Sequence, residues 1–380
     1  ATNPAVSLPR ADRVRAALAG LDVFVASEAM LSNDTVNAGA HVLLPAATCT
    51  EKDGVVTNSE RRMSRQRAIL PPPGEARPDW WILCEVAKRL GHEEGFAFTG
   101  PAAIFREHAA LSAYENDGAR DFDIGAFAGL DDAGYDALEP TQWPCRKGNS
   151  EPQPRFFANG DFFHPDRKAR FIAMEPPALA NPVSPERPFI LNTGRLRDQW
   201  HTMARSGQSP RLARHRPAPF VEMSPADAAS FGLADGGFAR LVSEHGGAIL
   251  SVRVSESQMD GMLFAPFHWS GETSSHGRVG ALVQPATDPF SGQPEMKATP
   301  VAVEPVRYAR TGFLLSRRSR ALPEGWWWAR VAAENGTGRL VAAPEEGKHL
   351  RETVRAAFGL PTAEFFDDQT GFYRAAWLDG

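Results

Sequence analysis

The stretch AHVLLPAATCTEKDGVVTNSERRMSRQR, Ala40 to Arg67, decides how the chain is read. Its first ten residues are an apolar run bounded by turn residues, the pattern of a buried strand. The rest is polar: Lys52, the arginines at 61, 62, 65 and 67, and Glu51, Asp53, Asn58 and Glu60. A core strand that delivers such a segment leads either into a surface loop with its own ion pairs or into a clamp for a large anion. Upstream, LDVFVASE (Leu21–Glu28) reads as a second short buried strand, and LSNDTVNAGA supplies a turn or short helix between the two. Strand, connection and strand at this spacing predict a βαβ unit with a parallel sheet, where ligands bind beyond the strand carboxyl ends. Ser27 and Glu28 sit at one such end, and Lys52 follows the other.

Working outward, LPRADRVRAALAG predicts an amphipathic helix with Val14, Ala17, Leu18 and Leu21 on one face and Gly20 at its stop. RPDWWILCEVAKRLGH predicts another. Pro78 suits its first turn, Asp79 its positive end and Lys88 and Arg89 its negative end, with a stripe of Leu83, Val86, Ala87 and Leu90. AAIFREHAALSAYEN has weaker helical character. From about Glu139 to Pro188 the chain is rich in Pro, Gly and polar residues and reads as a long irregular connection. After it come short strands: PFILNTG, FVEM, a hairpin around His245-Gly246-Gly247, and GMLFAPFHW. Ser224 caps a short helix with Pro225 in its first turn, Asp227 in capping-box position and Gly232 as stop. This pattern predicts a small β-barrel up to about Val306, then an α+β appendage containing WWWARV and ETVRAAFGL. The expected division is 1–138, 139–187, 188–306 and 307–380.

With 380 residues the chain can bury more than one core. Its net charge of −5 argues against a nucleic-acid or acidic-membrane partner for the whole molecule, so any anion site must be local. No apolar run approaches the ~20 residues of a membrane span. Cys49, Cys84 and Cys145 are odd in number and far apart, which argues for a reducing compartment such as the cytoplasm and against a cysteine-ligated cluster or zinc site in this stretch.

TGRLRDQWHT, Thr193 to Thr202, is the second stretch with chemistry. Gly194 allows close backbone approach to a ligand, and Arg195 and Arg197 can hold phosphate oxygens. A barrel loop with a surface histidine accounts for the same residues without a ligand. Lys52 can act as a point charge on phosphate. The carboxylates of Glu28 and Asp79 match two adjacent N–H donors such as a guanine edge, although Asp79 also suits a helix start by itself. His268 and His276 in FHWSGETSSHG are read as a poor metal site. No GxSxG or Walker loop supports a hydrolase or nucleotidase.

Taken in order, TNPAVSLP, SEAMLSNDTVNAGAHVLLPAA, EKDGVVTNSERRMSRQR, PGEARPDWWI, NTGRLRDQWHT, FAPFHW, RVGALV and DPFSGQPEMK resemble the C-terminal half of the molybdopterin oxidoreductases of the dimethyl sulfoxide reductase family. Within that family they are most similar to catalytic subunits of assimilatory nitrate reductases. The resemblance implies a partial Rossmann-like α/β cofactor domain, a double-psi β-barrel and a small α+β extension. It also implies a bis-(molybdopterin guanine dinucleotide) cofactor. Asn3, Ser27, Glu28, Lys52 and Asp79 would serve one guanine dinucleotide. Thr193, Gly194, Arg195, Leu196, Arg197, Asp198, Gln199, Trp200, His201 and Thr202 would line the pterin and phosphates, with Lys297 and the segment around His268 close by. No residue here is assigned as catalytic or as a metal ligand. Nitrate and an electron-donor protein are the implied partners of the intact enzyme. The [4Fe–4S] motif and the molybdenum cysteine would lie upstream of Ala1, so the chain is expected to be an internal fragment without activity of its own. Gly280 stands where related enzymes often carry Asn, which bears on one contact. A formate dehydrogenase of the same family and a non-catalytic cofactor-binding or assembly module stay open as alternatives.

Overall fold

The computed structural model describes residues 3–148, 155–175, 178–333 and 336–378. The chain forms two compact units, one of residues 25–31 and 42–177, the other of residues 1–24, 32–41 and 178–380. The barrel-bearing unit therefore takes in the N-terminal residues and the 32–41 connection, which the sequence places with the α/β portion.

In the first unit, strands β1 (Val25–Glu28) and β2 (Val42–Pro45) pair in parallel, with Val25 opposite Val42 and Glu28 opposite Pro45. The expected parallel pair is present, but its strands are not buried: Val25 is 48% and Val42 44% exposed. A two-stranded sheet has no inner strand, so apolar residues on its faces stay open unless another layer covers them.

The opening stretch folds into a hairpin that its polarity conceals. Strand β3 (Gly54–Thr57) pairs antiparallel with β4 (Arg62–Gln66), which also pairs with β5 (Thr141–Gln142). Asn58 makes the turn: its side-chain oxygen accepts from the Glu60 and Arg62 amides, and Arg61 takes a φ of 66°. Met63 is buried among Phe105, Ala109, Ile124 and Tyr135. Arg65 buries its guanidinium against several partners, although its Nε has none among the described residues. It donates to Gly54 and Gln66 carbonyls, pairs with Asp136 at 3.0 Å, and lies 4.0 Å over the Tyr135 ring. Glu51 closes a capping box with Thr48. Most charges of this stretch thus hold its own shape.

The helices form at Asp79–Arg89 and, more fully than its sequence suggests, at Pro101–Ala113. The expected stripe on the first of these is turned outward. Ile82, Cys84 and Ala87 are buried, whereas Leu83, Val86 and Leu90 are exposed.

The second unit is built around a closed barrel of six strands. They are β6 (Phe189–Gly194), β7 (Phe220–Met223), β8 (Phe238–Val242), β9 (Gly247–Val254), β10 (Met262–Pro266) and β11 (Thr299–Val306). Strands β6 and β10 run parallel, as do β7 and β9, and antiparallel pairs close the ring. Alternation puts Leu191, Leu241, Leu250 and Leu263 wholly inside, where truncating one to Ala costs about 2–5 kcal/mol. Ser224 caps the helix Pro225–Ser230 as expected. The Asp227 carboxylate, however, accepts from the Gly261 amide and not from the cap residue.

The appendage follows. Strands β12 (Arg310–Ser316), β13 (Trp327–Ala333) and β14 (Gly336–Ala343) form a sheet in the order β12-β14-β13. The helix Gly347–Phe358 and the hairpin β15 (Ala363–Phe366) with β16 (Tyr373–Ala376) complete it. Trp327 anchors it, packing on Phe238 and donating to the Ile249 carbonyl at 3.0 Å. Among the described residues no helix is long and apolar enough to cross a membrane.

Candidate cofactor-binding site

Strand β6 ends in Thr193 and Gly194, and the loop to Thr202 leaves from there. Thr193 is buried, and its hydroxyl donates to the Met296 carbonyl at 2.6 Å. Its own carbonyl receives the Lys297 ammonium. Gly194 is explained by packing: a Cβ there would overlap the Phe264 ring. The glycine lets two parallel strands close, a reason the sequence alone does not give.

His268 holds the loop. Its side chain is fully buried, and Nε2 accepts from the Leu196 amide at 2.7 Å while Nδ1 lies 2.6 Å from the His201 carbonyl. Only a neutral ring with its proton on Nδ1 satisfies both contacts. Burial pushes its pKa down, in agreement. Both ring nitrogens are thereby engaged with backbone. Gln199 is a second tie: its side-chain oxygen accepts from Ser206, whose hydroxyl accepts from the Trp200 amide. Asp198 is ion-paired with Arg197 at 3.0 Å and lies 2.8 Å from His215 Nδ1. Its carboxyl is held below the usual range, first by the Arg197 hydrogen bond.

This bracing leaves Arg195, Arg197, Trp200 and His201 exposed along one short loop. The Trp200 and His201 rings meet edge to face at 5.3 Å. Arg195 forms no ion pair with any described residue. Asn3 joins the group from the N-terminus: it is buried, donates to the Thr202 hydroxyl at 3.4 Å, and accepts from the amide and hydroxyl of Thr35. Thr35 and its neighbour Asp34, whose Oδ1 accepts from the Gly271 amide, were not singled out in the sequence. Short polar residues in SNDT look like any turn.

The other unit gathers a second set. The Ala46 amide donates to the Glu28 carbonyl, and the Ala47 amide to the Arg77 carbonyl. These bonds bring the carboxyl ends of β1 and β2 beside the start of the Asp79–Arg89 helix. Lys52 and Asp79, separated by 26 residues of chain, form an ion pair there. Ser27 is exposed, and the Glu28 carboxylate accepts from the Ala29 amide at 2.8 Å. Each unit thus draws its own expected residues together: Ser27, Glu28, Lys52 and Asp79 in one, Asn3, Thr193–Thr202, His268 and Lys297 in the other. Among the described residues no three His, Cys, Asp or Glu side chains converge as a metal centre.

Two family models match the chain, and the more N-terminal match runs across both units. Residues 189–300 match the family described as Molydopterin dinucleotide binding domain, and residues 1–89 the family Molybdopterin oxidoreductase. A nitrate reductase of Klebsiella oxytoca is 45% identical over 333 residues, covering 88% of this chain and 38% of that protein. An F420-dependent formate dehydrogenase 2 subunit alpha of Methanococcus maripaludis is 30% identical, covering 80% of this chain and 42% of that one. The chain therefore spans about two fifths of the length of these relatives. Acetylene hydratase from Pelobacter acetylenicus superimposes with a TM-score of 0.57 at 18% identity, over 80% of this chain and 43% of that one, which is a likeness of fold. The chain thus carries a Molybdopterin oxidoreductase segment and a Molydopterin dinucleotide binding domain.

Proposed function

We propose that the chain is the cofactor-holding part of a nitrate reductase, binding a bis-(molybdopterin guanine dinucleotide) for the reduction of nitrate to nitrite. The observation that carries this reading is the 45% identity to the Klebsiella nitrate reductase across 88% of the chain. The residues fit such a ligand. Arg195 is an exposed guanidinium without a counter-ion among the described residues, beside Trp200 and His201, and suits a pyrophosphate next to a ring system. Lys52 and Asp79 offer the other unit a cation for phosphate and a carboxylate for guanine N–H donors, with Ser27 and Glu28 at the same strand ends. His268, Gln199 and Lys297 act one step back, by fixing the loop. When bound, the cofactor supplies the two-electron chemistry that takes an oxygen atom from nitrate. The chain's own residues bind and orient it. In this reading the domains are those expected from the sequence, the protein works in the cytoplasm, and an electron-donor protein feeds it through a [4Fe–4S] cluster.

The formate dehydrogenase relatives favour a second reading. A reduced-viologen assay of the full-length protein with nitrate, and a formate oxidation assay beside it, separate the two. Nitrate turnover supports the first. Formate oxidation without nitrate turnover replaces it with the second. Cofactor loading with neither activity would leave a binding or assembly module.

A further inference from the structure

The sheet β12-β14-β13 places Arg330 directly opposite Arg339 on neighbouring strands. Like charges in that register repel, so the pair weakens the sheet that carries it. Several other half-buried arginines, Arg65, Arg278, Arg351 and Arg355 among them, are paired with carboxylates. Here no described carboxylate answers. Among the described residues Arg330 reaches only the Gln208 side-chain oxygen, at 3.4 Å. Arg339 lies 4.7 Å over the Trp328 ring and donates to the Ser319 hydroxyl at 2.7 Å and to the Arg320 carbonyl. Those two bonds tether the run Arg317-Arg318-Ser319-Arg320 to the sheet, and the run's own side chains are exposed. Burial and the Arg330 charge both disfavour the Arg339 cation, so the arrangement is costly without an anion. On the outer strand Leu314 lies opposite Arg339 and shares its face, whereas Phe313 and Leu315 point to the other face of the sheet.

We propose that Arg330, Arg339 and the Arg317–Arg320 run form a docking surface for an acidic protein partner that presents clustered Asp and Glu side chains. Charge complementarity carries the choice. Five guanidiniums beside the Trp328 ring match the composition of a protein interface, where arginine and aromatics are enriched. A nucleic acid or an anionic membrane is disfavoured because the rest of a chain of net charge −5 repels an extended polyanion. The proposal does not rest on the cofactor reading.

The test is fluorescence anisotropy of the full chain with a labelled short oligo-L-glutamate peptide, at low and at physiological ionic strength, beside single-stranded DNA and phosphatidylglycerol vesicles. The expected result is salt-sensitive binding of the glutamate peptide in preference to both other probes, weakened about tenfold in Arg330→Gln/Arg339→Gln. Arg317→Gln/Arg318→Gln, which leaves the sheet untouched, is expected to weaken it several-fold. Arg13→Gln/Arg15→Gln, the same charge change on the N-terminal helix, is expected to leave it unchanged. Tighter binding of DNA or vesicles, full affinity in the Arg317/Arg318 variant, or an equal loss in the Arg13/Arg15 variant would each overturn the proposal.

Discussion

Gly280 and Val6 meet backbone to backbone: a Cβ on Gly280 would overlap the Val6 carbonyl oxygen. The same turn sends Arg278 to the Ala5 carbonyl at 3.2 Å and to the Asp12 carboxylate. The position therefore has no room here for a side chain. Gly280→Ala is expected to lower stability by about 1–3 kcal/mol, and Gly280→Asn by more. Urea midpoints of the two variants check this, and an Asn variant as stable as the native chain would contradict the packing.

His268 should set a pH dependence. Its pKa is depressed by burial, and burial also depresses His245 and His276. A base whose folded pKa lies below its unfolded one leaves the unfolded chain holding more protons. Stability is therefore full above the unfolded histidine value near 6.5 and is lost as pH falls below it toward the folded pKa. Denaturation midpoints measured downward from neutral pH should fall, and less steeply in His268→Asn. That variant should also be weaker at neutral pH by about 1–3 kcal/mol, because a buried backbone partner goes unsatisfied.

Lys52 and Asp79 separate stability from binding. Their pair is partly open, with side chains 26% and 53% exposed, so losing it should cost under about 1 kcal/mol. Lys52→Gln and Asp79→Asn in the full-length protein are expected to melt near the native temperature but to retain less molybdenum and pterin after gel filtration. Full retention of both would remove these residues from the binding set.

Glu364 gives the appendage an acid limit. Hydrogen bonds from Arg351, then Arg355, lower its pKa to about 2, with Tyr373 adding a third. The stabilisation is complete above the ordinary carboxylate range and disappears as pH falls toward that value. Near-neutral to acid melting, followed by tryptophan fluorescence, should lose this component in Glu364→Gln.

Where side-chain alternation was clean, the fold could be read early. Barrel strands β6 to β10, the Ser224 cap and the hairpin at His245-Gly246-Gly247 stand where the sequence puts them, while β11 was not marked. The hairpin of β3 and β4 was not legible, because Arg62, Ser64 and Gln66 mask the pattern and Arg65 is buried through partners distant in sequence. Leu83, Val86 and Leu90 do form an apolar stripe, but no local pattern says which side of a helix is covered. For the site, residue type marked Lys52, Asp79 and the Arg195–Thr202 loop as ligand chemistry. What it could not show was that His268 is a brace, that Gly194 answers to Phe264, or that Thr35 completes the Asn3 contact.

The barrel's two parallel pairs also bear on how the chain comes to be folded. Strand β6 finds β10 only after the residues up to Pro266 exist, and its other neighbour, β11, comes later still. Such sequence-distant pairing requires loop closure before any strand contact is rewarded, which slows folding. On the ribosome, Phe189–Gly194 must wait with its edges unpaired while more than seventy residues are added. The barrel is therefore the late, aggregation-exposed step of biosynthesis, and the place where a chaperone would act.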